Sequence, residues 1–178
     1  SWRGILQHGK GNVRNHQAVR AMKPITINVV GIPAPGGSKK FVGMSQQSGR
    51  AILVDAGGKR NKTWRAACAA AATAVMNANG LKPLTGALRC ECVFRMPRAQ
   101  WHRNSKGFLV DRAPAWPITR PDVLKIMRST EDALTGIAWV DDAQIVQEWI
   151  DKKFAGVGEA PGVCITITCL EKQDNEPA

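Results

Sequence analysis

The chain lacks the features that most readily fix a protein's class. No apolar run approaches the roughly 18 residues that a membrane span needs. No signal-peptide core is visible, because residues 1–23 are polar and basic, which points to an intracellular protein, cytoplasmic in a bacterium or a phage-infected host. Zinc spacing is absent: the five cysteines (Cys68, Cys90, Cys92, Cys164, Cys169) form no C-x-x-C pair and there are only three histidines. A phosphate loop is hinted at by Gly31 and Gly36, but Gly37 stands where that motif requires lysine, which excludes a nucleotide site of that kind. There is no internal repeat and no low-complexity segment. Acid is scarce, with 14 Asp and Glu against 25 Lys and Arg, a net charge of +11 and a pI near 9.9. Such a balance makes a polyanion the first partner to consider.

What is present is a chain of 178 residues with ordinary hydrophobic content, 44%. It is long enough for one domain with a real core. Residues 1–23 are expected to form a basic, loosely attached extension or an added remnant, with Met22 as the natural start or close to it. Residues 24–172 would be the domain and 173–178 a tail. Alternation predicts strands at 25–29, 88–96, 143–153 and 163–170, "AILVDAGG" (51–58) reads as a short strand leading into a turn, and "GIPAPGGSKKFVG" (31–43) as a loop. An Ala-rich helix is predicted over 61–77, with Trp64 packing it on the sheet, and a second helix over 121–135, with Pro121 in its first turn and Gly136 as its stop. The long connection 97–119 carries Trp101, His102 and Trp116. The fold class is therefore α+β: a mixed β-sheet with two main helices on one side. Cys90 and Cys92 should share one face of their strand as small buried thiols.

Charge is unevenly spread. Arg95, Arg98, Arg103, Lys106, Arg112 and Arg120 crowd a segment with one acid, Asp111. Six of the fourteen acids lie in or beside "RPDVLKIMRSTEDALTGIAWVDDAQIV" (120–146): Asp122, Glu131, Asp132, Asp141, Asp142 and Glu148. A structural account exists for several. Asp122 suits a helix N-cap, and Asp141-Asp142 suits a turn before a strand. The functional account is that these carboxylates converge on Mg²⁺, a hard ion held by one or two carboxylates plus substrate phosphates. A bound metal also reverses the repulsion between carboxylate and phosphate.

The same stretch resembles the signature of the RusA family of Holliday-junction resolvases, common in phages. That pattern runs K/R-P-D-x-D-N/K-L-x-K/R, D-A-L-x-G and D-D-x-Q-I/V; here stand "RPDVLKIMR", "DALTG" and "DDAQIV" in that order. "ITINVVGIPAPGGSKK", "FRMPRAQ" and "APAWPITRPD" resemble segments that precede the motif, so the likeness covers roughly 25–170. It implies a Mg²⁺-dependent endonuclease, with Mn²⁺ as a substitute, that resolves Holliday junctions or other branched DNA in recombination and repair. It further implies a homodimer. Asp122 and Asp142 take the catalytic and metal-binding positions, Asp141 is the neighbouring ligand, Arg128 the basic residue that offsets phosphate charge, and Asp132 the aspartate of "DAL". One position departs: Leu124 replaces the second aspartate of D-x-D. Glu131 is the nearest residue to compensate, on the same helix face but about 10 Å along the axis. DNA backbone contacts are expected from Lys39, Lys40, Arg95, Arg98, Arg103, Lys106, Arg112 and Arg120, with Trp101 and His102 stacking or wedging at a branch point; for Trp101 alone, packing in the core is an equal alternative. The competing reading is a non-catalytic, basic junction-binding protein that lost a metal ligand at Leu124; a third is an interaction protein whose acids only cap and turn.

Overall fold

The computed structural model describes residues 22–36, 39–55 and 58–170. The expectations for the two ends, residues 1–21 and 171–178, and the proposed start at Met22, fall on or against residues outside that range. Four strands form the main sheet: β1 (Ile25–Val30), β4 (Leu88–Met96), β5 (Ile145–Phe154) and β6 (Gly162–Cys169), in the order β1-β6-β4-β5. Pairing is antiparallel except between β4 and β5, which run parallel. That parallel pair requires a crossover, and α2 (Val123–Leu134) lies within it. α1 (Gly58–Ala78) precedes β4.

Alternation does what the sequence predicts. Ile25, Ile27 and Val29 of β1, Leu88, Cys90, Cys92, Phe94 and Met96 of β4, and Val163, Ile165 and Ile167 of β6 are buried on one face. Trp64, Cys68, Ala72 and Met76 of α1 and Ile126, Met127 and Leu134 of α2 close that face. Trp64 packs 6.5 Å from Phe94, ring centroid to centroid. Both helices cover one side of the mixed sheet, as α+β reasoning requires. Cys90 and Cys92 point the same way, with sulfurs 3.8 Å apart. Burial pushes the Cys68 thiol up to about 12. The bond to Cys90, then burial, pushes Cys92 well above the ordinary thiol value, so Cys68 and Cys92 are inert, reduced thiols.

Two expectations are corrected. Residues 39–44 are not loop: Lys39–Met44 is a strand, β2, paired antiparallel with β3 (Ala51–Asp55) in a separate two-stranded sheet. Its register shifts between Phe41 and Gly43, which breaks the alternation that would have marked it. Pro121 precedes α2 instead of entering its first turn; Asp122 holds the N-cap position and Gly136, at φ +81°, ends the helix after Thr135.

Polar ties join the helices at their seam. Ser129 Oγ donates to Asn61 Oδ1, Trp64 Nε1 donates to Thr130 Oγ1 at 3.1 Å, and Arg65 reaches the backbone carbonyl of Asp132 at 3.2 Å and its carboxylate at 3.7 Å. Among the described residues no helix is long and apolar enough to cross a membrane.

Candidate active site

α2 is amphipathic. Ile126, Met127, Thr130 and Leu134 face the core, while Leu124, Arg128 and Asp132 face solvent. The register of β5 against β4 fixes how the helix sits. Glu148, Ile150, Lys152 and Phe154 pair with buried Cys90, Cys92, Phe94 and Met96, so they project to the helix side of the sheet. Lys152 Nζ donates to the carbonyls of Thr119 (3.1 Å) and Pro121 (3.0 Å), just before α2. Glu148 hydrogen-bonds Glu131, near its other end. α2 therefore runs antiparallel to β5, with one end beside Lys152 and the other beside Glu148.

The C-terminal end gathers acid. Burial first, then the charge of Glu148 and the hydrogen bond to its carboxyl, push the Glu131 carboxyl from 4.5 up to about 7; the charges of Asp142 and Asp132 add to the effect. The helix has no basic residue in its last turn, so these acids also meet the negative end of its dipole. Among the described residues no cation pairs with Glu131, Asp142 or Glu148, whereas Asp132 is held by Arg65. Asp141 does what the structural account foresees. Its Oδ1 accepts from the Ala143 N–H at 2.8 Å, and Gln144 Oε1 accepts from the Asp141 N–H at 2.9 Å, a reciprocal cap.

The N-terminal end differs. Asp122 sits at the N-cap, but its side chain makes no capping bond; it is exposed and pairs with Lys125 at 3.7 Å. It starts the helix nine residues before Glu131, roughly 14 Å of rise, and is not among the charges acting on that glutamate. Leu124, where the family pattern has an acid, is 68% exposed. Arg128 is exposed on the same stripe.

The basic candidates separate into engaged and free. Arg95 is mostly covered and faces Glu159 at 3.4 Å. Arg98 lies 4.2 Å over the Phe154 ring and donates to Pro114. Arg103 donates to the Gly107 carbonyl at 2.8 Å. Lys106, Arg112 and Arg120 are exposed. Lys39 and Lys40 open β2, but their side chains lie outside the described residues. His102 is buried, edge-on to Phe154 at 5.2 Å, so it cannot stack on a base; it supports Trp101, which is 54% exposed.

A model of the family described as endodeoxyribonuclease RusA matches residues 44–168, well over half of the chain. The chain belongs to the RusA family. Endonucleases of that family resolve Holliday junctions and bind branched DNA. No curated protein matches the chain. On this RusA-family fold the acids of the motif are thus divided between the two ends of α2. Among the described residues, no group of three or more His, Cys, Asp or Glu is arranged to hold a metal ion. Two residues escaped the sequence reading as site residues: Glu148, counted with the acids but given no role, and Lys152. The signal was there, since both alternate with Ile150 and so share its face.

Proposed function

We propose that the chain is a metal-dependent endonuclease for branched DNA, acting as a homodimer in recombination or repair. The observation that carries this reading is the Glu131–Glu148 carboxyl pair, on which the charge of Asp142 also acts, at the negative end of α2 and without a countercharge among the described residues. A fold gains nothing by assembling such a group; a divalent cation would neutralise it. The donors are all oxygen and number fewer than a full shell, which suits Mg²⁺ completed by water and substrate phosphate. Glu131 and Glu148 would hold the ion, with Asp142 drawn onto it only as it binds, since the three are not arrayed for a metal as they stand, and Asp141 would orient the turn that carries Asp142. Bound there, the metal would polarise the phosphodiester and lower the pKa of water.

The chain's own residues supply the rest. Arg128, exposed on α2, offsets charge on the phosphate. Lys106, Arg112 and Arg120 bind the backbone. Asp122 stands at the far end of α2, so the role of the dimer in this reading is to bring Asp122 of one copy towards Asp142 of the other. A two-fold arrangement also matches a four-way junction. Incubation of the full chain with an end-labelled four-way junction, in Mg²⁺ or Mn²⁺ and in EDTA, tests the reading. Cleavage confined to the metal-containing reactions supports it. Junction binding without cleavage under any of these conditions would favour the non-catalytic binder, in which Leu124 marks the lost chemistry.

A further inference from the structure

Beside the start of α2 lies a cleft of about 880 Å³. Its floor is apolar, formed by Trp64, Met96 and Phe154, and its rim carries Lys59, Arg60 and Arg120. No acid lines it among the described residues. Two proline-bearing segments line it, residues 31–35 and the stretch from Pro117 to Pro121, and both are pinned. The Gly31 N–H donates to the Pro161 carbonyl and the Gly36 N–H to the Lys125 carbonyl, each at 2.9 Å. A Cβ at Gly36 would stand 3.0 Å from the Ser129 Cβ, so any larger residue there would push on α2 by a few tenths of an ångström. The other wall hangs on Lys152, and the Phe154 ring is clamped between Arg98 and His102. The cleft is thus built before any ligand arrives, which spares the ordering cost of binding.

We infer that this cleft receives a single nucleotide unstacked from the branch point, its base on the apolar floor and its phosphates on Lys59, Arg60 and Arg120. The inference rests on the proposed action on branched DNA. An apolar floor with a wholly cationic rim fits a ligand that is flat and apolar at one end and anionic at the other. The volume falls within the roughly 300–1,000 Å³ that encloses one small molecule, and a continuous duplex cannot enter it. Unstacking costs least where a base has already lost a stacking neighbour, as at a branch. Position adds a reason: Pro121 is both cleft wall and the residue before Asp122, so a nucleotide held here presents its backbone to the motif.

The full chain in EDTA, mixed with a four-way junction carrying 2-aminopurine at the branch, tests this without any need for catalysis. The expected result is a severalfold rise in fluorescence on binding, absent when the probe sits six base pairs down an arm. Thr63 lines the cleft from the exposed side of α1. Thr63→Trp, which places an indole in the cleft where the base would lie, should reduce the preference for junction over duplex roughly tenfold, the worth of stacking one base, with duplex affinity changed less than twofold. Arg60→Glu, which leaves the core untouched, should lower the same preference at least threefold. It decides the matter alone if circular dichroism shows Thr63→Trp unfolded. Junction binding with no fluorescence change and with preference intact in the folded variants overturns the inference and leaves the proposed function standing; that outcome would suit a peptide occupant. Failure of the wild type to bind any branched DNA overturns both.

Discussion

The two ends of α2 are built on opposite electrostatic plans. At its N-terminus a carboxylate stands exposed beside Lys125, with Lys152, Arg120 and a cation-rimmed cleft nearby. At its C-terminus Glu131 and Glu148 face each other, the charge of Asp142 acts on Glu131, and the neighbouring acid Asp132 pairs with Arg65. The macrodipole would favour the reverse for the acids of the second group. One end presents cations to solvent, and the other, among the described residues, is short of positive charge. A protein with 11 excess positive charges has cations to spare, so their absence at this end, among the described residues, reads as a functional choice.

The largest effect should come from removing the uncompensated end. Asp142→Asn is expected to cut Mg²⁺-dependent junction cleavage by roughly a thousandfold, the scale of several kcal/mol of metal assistance. Junction affinity by electrophoretic shift should hold or tighten, because a charge that repels phosphate is gone. If affinity and melting temperature fall together with cleavage, Asp142 is a structural residue.

Next is the test of whether the two ends cooperate between copies. Asp122→Asn and Asp142→Asn should each be inactive, and mixing them should restore about a quarter of wild-type cleavage, because half of randomly paired dimers then hold one intact combination. No recovery after exchange of subunits would place both carboxylates in one chain's site.

Charge reversal at Lys106, Arg112 and Arg120, the exposed cations, should weaken junction and duplex binding alike. The slope of log affinity against log salt should fall by about 0.9 for each phosphate no longer neutralised, roughly 2.7 in all. Arg98→Glu, by contrast, should act mainly on stability, since that guanidinium lies over Phe154.

In EDTA the acidic end should leave a signature in pH-dependent stability. With the Glu131 carboxyl near 7 in the fold and 4.5 in the unfolded chain, the folded state holds the proton more tightly between those values. Stability should fall as pH rises through that window and level off above it. Glu131→Gln should remove this slope and melt higher than wild type at pH 8. Identical pH profiles for the two proteins would show that the carboxyl pair carries no strain.

The smallest effect is expected at the departure from the family pattern. Leu124 is exposed, so Leu124→Asp should change stability by no more than about 0.5 kcal/mol, as surface substitutions usually do. If the missing acid limits catalysis, the same variant should cleave faster in Mg²⁺; an unchanged rate means that another group already fills that role.

Much of this was legible in the sequence wherever period and charge agreed. The alternation of β1, β4 and β6 announced both the strands and their buried face, and Trp64 was readable as the residue that packs α1. β2 was hidden because its bulge at Gly43 breaks the period and two lysines open it. Asp122 was found at the right place, yet the expected capping bond is absent, since the helix satisfies its first turn without that carboxylate. Arg98 read as a DNA contact and His102 as a stacking or wedging side chain, but Phe154, over fifty positions later, pulls both inward. Spacing along one element was visible; partners brought together by the parallel crossover, such as Glu131 with Glu148, were not.

Lys152 holds the entry to α2 by two bonds from a single ammonium. Because it anchors carbonyls of residues 119 and 121 from a strand at the sheet's edge, this joint can open while the hydrophobic layer beneath stays shut. Lys152→Met should therefore loosen this joint while changing the melting temperature of the domain little. Amides of the segment around Asp122 should exchange with solvent through that local opening, at a rate indifferent to the stability of the whole.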